Sequence, residues 1–178
     1  MAIQINGNGT ITGISVGGLP NGIVDTDMLA ANAVTPAKST IQGGKVLQVQ
    51  QTVLSSQVTV GTGTETEVIN VAITPSATTS KILTTLTSAP AYVGTGTEFQ
   101  LLLYRDSTEV YGYTFYFGSG AANAAIAGPN GMYLDSPNTT SSITYRVKLT
   151  RRWGSNTCYF NHTNGKAKSS LTAMEIAG

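Results

Sequence analysis

The side chains able to do nucleophilic or acid–base chemistry are few, and their spacing does not suit it. Cys158 is the lone cysteine and His162 the lone histidine. A catalytic thiol needs an imidazole within hydrogen-bond reach. In the strand-like run from Thr157 to Phe160 and on to His162, a four-residue offset puts both side chains on one face. It also sets them about 13 Å apart at ~3.3 Å per residue. A buried, inert thiol is the expectation, and one cysteine forms no intrachain disulfide. Polysaccharide hydrolysis wants two carboxylates flanking a glycosidic bond. The chain has nine acids, and neither Glu65 with Glu67 nor Asp106 with Glu109 makes such a pair. One His and one Cys do not make a metal site. Val60-Gly61-Thr62-Gly63-Thr64-Glu65 recurs identically as Val93-Gly94-Thr95-Gly96-Thr97-Glu98, but neither copy has the GxxxxGK[ST] or GxGxxG context of a phosphate cradle. The expectation is no catalytic residue, no metal, no cofactor and no enzyme activity.

Binding chemistry has better candidates. Tyr104, Tyr111, Tyr113, Phe115, Tyr116 and Phe117 form the densest aromatic region. Trp153 follows Arg151-Arg152 and precedes a loop-like Gly154-Ser155-Asn156, with Asn161, His162 and Asn164 close behind. Exposed aromatic rings stack on sugar rings, and tyrosine adds a hydroxyl. The residues named for receptor binding are Tyr111, Tyr113, Tyr116, Trp153, Asn161 and His162. The competing reading is that the tyrosines fill a core, as aromatics do in most domains, and that the Trp anchors a hairpin. The small, uncharged stretch 118–130 suits either a mobile receptor-reading loop or inter-strand packing within a trimer.

Strands must position these groups. Only 11% of residues are charged, against roughly 25% in an ordinary soluble domain. In their place stand 27 Thr, 15 Ser and 20 Gly. Thr alternating with Val and Ile suits pleated strands. Strands are expected near 45–53, 57–60, 65–74, 81–86, 98–105, 108–117, 131–134, 143–151, 156–160 and 171–176, with a tight hairpin at Arg105-Asp106-Ser107-Thr108. Such a series, punctuated by Gly and Pro, predicts an all-β jelly-roll sandwich over residues 44–178. Residues 145–178 are basic: Arg146, Lys148, Arg151, Arg152, Lys166 and Lys168 face only Glu175. Five net positive charges could steer an anionic partner; a wet strand face carrying Lys and Arg explains them more simply. The near-neutral whole and the lack of a binding motif argue against nucleic acid.

Residues 1–43 differ in kind. A short alternating strand at Thr10–Ile14 is followed by Gly17-Gly18-Leu19-Pro20-Asn21-Gly22. One small helix follows over Asp25–Val34, capped by Asp25 or Thr26 and stopped before Pro36. A helix of that length is marginal alone in water. The segment is too apolar to stay solvated and too thin to fold unaided, so it is expected to trimerise or attach through Ile11, Ile14, Leu19, Val24, Met28, Leu29 and Val34. The start MAIQINGNG shows neither a basic n-region nor an apolar h-region, so no signal peptide is expected. No run approaches the ~18 apolar residues of a membrane span.

The run Gly9–Gly22, with Asp25, Leu29, Ala30 and Asn32-Ala33-Val34 after it, resembles a cassette of tail fibres and other appendages of tailed bacteriophages, cyanophages in particular. In longer fibres that cassette recurs and builds trimeric stalk; here it occurs once. Lys45–Val49, Thr74–Ile82, Leu101–Asp106, Tyr133–Leu149 and Leu171–Ile176 are similar to the C-terminal domains of the same appendage proteins. The resemblance implies a structural virion protein, assembled in the host cytoplasm, with residues 1–43 as a trimerisation or attachment segment. It implies a short homotrimeric tail fibre or spike that docks on other virion proteins of the baseplate or tail and contacts host surface polysaccharide. The alternative it leaves is a capsid decoration protein that cements the head.

Overall fold

The computed structural model describes residues 4–5, 11–12, 44–93, 97–117, 124–126, 128–153, 158–162 and 168–178. The chain divides into two compact units, 1–42 and 43–178. Of the first unit, only an antiparallel pair of two-residue strands is described, β1 (Gln4–Ile5) with β2 (Ile11–Thr12). The helix expected over Asp25–Val34 lies outside the described residues, as do Ile14, Leu19, Val24, Met28, Leu29 and Val34; Ile11 is placed in β2.

The second unit is all-β, with no helix among its described residues. Its strands are β3 (Val46–Leu54), β4 (Val58–Val60), β5 (Thr66–Ile73), β6 (Lys81–Thr87), β7 (Ala91–Val93), β8 (Thr97–Arg105), β9 (Thr108–Phe117), β10 (Ala124–Ile126), β11 (Gly131–Asp135), β12 (Ile143–Trp153), β13 (Cys158–Phe160) and β14 (Ser169–Ile176). They form three four-stranded antiparallel sheets, ordered β11-β6-β14-β3, β5-β12-β8-β9 and β10-β7-β13-β4. For brevity these are the first, second and third sheets.

Period-two alternation builds the interior. In β14, Ser169, Leu171, Ala173 and Glu175 are buried while their neighbours are half-buried. In β12, Tyr145, Val147 and Leu149 are buried in the same alternation. Leu86 and Leu171 of the first sheet, Leu101, Leu103, Tyr145 and Val147 of the second, and Val60, Cys158 and Phe160 of the third belong to one apolar core. β5 keeps both Val68 and Ile69 inside because a bulge opposite Val147 slips the register by one residue. The expected hairpin is present. Arg105 pairs with Thr108, and Asp106 takes φ 53° between them, a conformation that Asp tolerates better than most residues. Asp106 then grips the start of β12: its N–H donates to the Thr144 carbonyl, and its carboxylate accepts from the Thr144 N–H.

Candidate functional site

Tyr111 is on β9, an edge of the second sheet, and Tyr133 on β11, an edge of the first. Their rings stack with centroids 5.3 Å apart and planes inclined by 24°. The pair closes the sandwich edge over a cleft lined by Leu86, Leu101, Leu103, Val147 and Leu171. That cleft holds about 20 Å³, little more than the roughly 10–15 Å³ that one water needs by the same measure, so it is too small for a sugar ring. One face of Tyr111 is therefore committed to Tyr133, while the residue stays 39% exposed.

The other aromatic candidates gather elsewhere. Tyr116 and Trp153 both pair with Glu98, from β9 on one side and β12 on the other, so the three form one row across the second sheet. Tyr111 lies five residues along β9 from Tyr116, roughly 17 Å at ~3.3 Å per residue. Tyr113 sits between them in register, opposite Leu101. The side chains of Tyr113, Tyr116 and Trp153 lie outside the described residues.

Asn161 does not sit in an exposed polar patch. It is fully buried at φ 55° just after β13. Its amide donates to the carbonyls of Leu54 and Ser56, and its side-chain oxygen accepts from the Ser169 hydroxyl. Ser169 Oγ in turn accepts from the Ala89 N–H. The amide is used up joining the end of β3 to the start of β14. His162 is half-buried; its backbone N–H donates to the Pro90 carbonyl and its ring lies 6.1 Å from that of Tyr159.

Two acid clusters inside the sandwich were not foreseen from the sequence. Asp135 at the end of β11 accepts from Arg105 Nη1 through both oxygens, at 3.0 and 2.8 Å, from Tyr145 Oη at 2.7 Å and from the Ser136 N–H. It ties the two large sheets together through β8 and β12. Burial, then the bond to Asp135, pushes the Tyr145 phenol well above its ordinary range, so it stays a donor. Glu175 on β14 is fully buried with no cation bound to it. It accepts from the Ser76 N–H and hydroxyl and from Gln48 Nε2, at 2.6–2.7 Å. Burial works against the carboxylate, yet hydrogen bonds from Ser76 and Gln48 outweigh it and lower its pKa to about 2. The two acids lie on one row of the first sheet with Ile82 between them. Each is saturated by its own donors, so what this arrangement does is hold strands and the 74–80 turn in place. Among the described residues, no group of three His, Cys, Asp or Glu side chains could hold a metal ion.

The outer face of the second sheet carries Arg146, Lys148 and Arg152, and each is paired, whereas Arg151 is buried. Arg146 meets Glu67 at 2.9 Å, Lys148 meets Glu65 at 3.1 Å and Arg152 meets Glu98 at 3.5 Å. Lys148 also lies 3.9 Å over the Tyr104 ring, whose hydroxyl donates to Glu65. The basic stretch is a solvated, internally balanced strand face.

Comparison with known proteins adds a remote likeness only. No protein-family model matches the chain. No curated protein matches it either. Among solved structures, a chain from the structure of infectious bursal disease virus Gx strain matches with TM-score 0.36 and 13% identity, over 75% of this chain and 33% of that one. A chain from the Gt strain structure matches with TM-score 0.28 and 9% identity, over 74% and 40%. This chain spans about a third of the first and two fifths of the second, and neither likeness assigns it a family or a role.

Proposed function

We propose that this chain is a structural virion protein of a tailed phage. In this reading it is a short trimeric tail fibre or spike, with residues 1–43 joining the copies and docking on the particle, and 44–178 forming a jelly roll that meets host surface glycans. The strand order carries the fold part of the proposal. Along the chain, β3, β5, β6, β8, β9, β11, β12 and β14 are dealt between two antiparallel sheets ordered β3-β14-β6-β11 and β5-β12-β8-β9. That order corresponds to two interlocked Greek keys, the eight-stranded plan used by viral capsid and lectin domains. A fold by itself assigns no role; the resemblance of Gly9–Val34 to the phage appendage cassette supplies the particle. Binding would work by avidity, with weak sites multiplied over several copies. Tyr111 and the Tyr116–Glu98–Trp153 row are the surfaces to test. Purified full-length protein should adsorb to susceptible cells and block phage attachment, and Tyr111→Ala or Trp153→Ala should weaken both. A protein that neither adsorbs nor blocks would refute the glycan role.

One observation favours the second reading, a decoration protein of the phage head. Tyr111 is stacked on Tyr133 and Asn161 is buried, which takes two of the named groups out of easy reach of a sugar. Under that reading, particles lacking the protein lose head stability yet adsorb normally.

A further inference from the structure

The outer face of the first sheet has no counterpart to the charges of the second. The pairing registers define its rows. Val49, Met174, Leu83 and Leu134 form one row across all four strands, and Gln51, Thr172, Thr85 and Met132 form the next. Val53, Ser170 and Thr87 extend the face at one end, and Ile176 with Lys81 at the other. Lys81 is its one charge, at the margin, donating to Ser136. Among the described residues, the exposed large apolar side chains are Val46, Leu47, Val49, Val53, Met132 and Leu134, at 41–67% exposure, and Tyr111; all but Tyr111 lie on β3 or β11, the two edges of this sheet. β3 itself has nine residues without a charge, a proline or a glycine. Edge strands that stand free in water are commonly blunted by such residues, as Glu67 does on β5 and Glu109 on β9.

We propose that this face packs against another copy of the chain. Two arguments choose that occupant. First, contact between copies demands a patch that tolerates its own likeness. A neutral face of Val, Leu, Met, Thr and Gln does so, whereas contact through the opposite outer face would have to strip water from its ion pairs. Second, four strands about 4.8 Å apart and roughly 17–30 Å long give a flat area of about 400 Å². That is near half of the ~800 Å² per partner of a standard stable interface. A face of this size binds weakly alone and firmly once copies are tethered, because tethering raises their effective concentration. The inference thus rests on the proposed joining of copies through residues 1–43, to which it adds a second contact between the β domains.

The test uses the full-length chain over a dilution series. Sedimentation reports association, and oxidative footprinting read by mass spectrometry reports the reactivity of Met132, with the urea-unfolded chain as the rate standard. At 67% exposure, Met132 in a lone domain should oxidise nearly as fast as that standard. In the associated chain it should react several-fold more slowly, and Leu134→Asp or Val49→Asp should restore the fast rate. Both positions are 53% exposed, and a melting curve identifies any variant that fails to fold, the wild-type rates deciding alone in that case. An associated chain in which Met132 reacts at the standard rate overturns this inference and leaves assembly through residues 1–43 standing. A chain that is monomeric at every concentration overturns both.

Discussion

The two large sheets dispose of charge in opposite ways. The second sheet turns its acids outward: Glu65, Glu67 and Glu98 stand on or beside its outer face and meet Lys148, Arg146 and Arg152. Its outward apolar residue on β8, Leu102, lies in a row between Lys148 and Gly112 and is only 3% exposed. A Cβ on Gly112 would come within 2.8 Å of the Leu102 side chain, which would have to shift to admit it. The first sheet turns Asp135 and Glu175 inward and leaves its outer face almost uncharged. The lesson is energetic. The same carboxylate is worth little on a wet face and more where it is itself buried and held by several donors.

The largest expected effect lies at Glu175. Glu175→Ala removes the buried acceptor of the Ser76 N–H, the Ser76 hydroxyl and the Gln48 amide and should cost about 2–3 kcal/mol, read by urea unfolding. The pH dependence has a definite sign. The folded pKa is depressed from 4.5 to about 2, so this contribution is complete above pH 4.5 and is lost as pH falls toward 2. Glu175→Gln should remove that slope from a melting series; an unchanged slope would show that Glu175 is not the group being protonated.

Asp135→Asn comes next. It leaves the partly buried Arg105 guanidinium without a counter-charge and weakens the Tyr145 bond, for an expected loss of about 2 kcal/mol, with a cost under about 0.5 kcal/mol counting against the inter-sheet link. Glu67→Gln should be smallest. Glu67 and Arg146 are each about a third exposed, so the change in unfolding free energy should stay within about 0.5 kcal/mol and shrink further in salt. If Glu67→Gln cost as much as Asp135→Asn, the contrast between the two sheets would fail.

Much of the β domain was legible in its residues. Alternating Thr, Val and Ile marked ten strands within a few residues of their observed ends, because one side of most of them had to be buried; β3, with no buried residue, is an exception. Two strands were not legible. Ala91–Val93 and Ala124–Ile126 are three residues each, too short for alternation to register, and the second lies in a small-residue stretch. Of the basic end, Arg146, Lys148 and Arg152 lie on the wet strand face expected for them, while Arg151 is buried. Site residues were harder to read. Asn161 looked like a surface amide because its partners Leu54 and Ser56 are more than a hundred positions away. Asp135 gave no signal, since Arg105 and Tyr145 reach it only after three strands from two sheets have been placed.

The matched experiment is to put one aspartate on each outer face of the full-length chain. Leu134→Asp lies on the first sheet; Thr114→Asp lies on the second, where Thr114 is exposed and pairs with Gln100. Sedimentation over a dilution series should show Leu134→Asp weakening association by about tenfold or more, as expected for a charge driven into an interface, and Thr114→Asp leaving it unchanged. Equal effects at both positions, or an effect only at Thr114, would contradict the account.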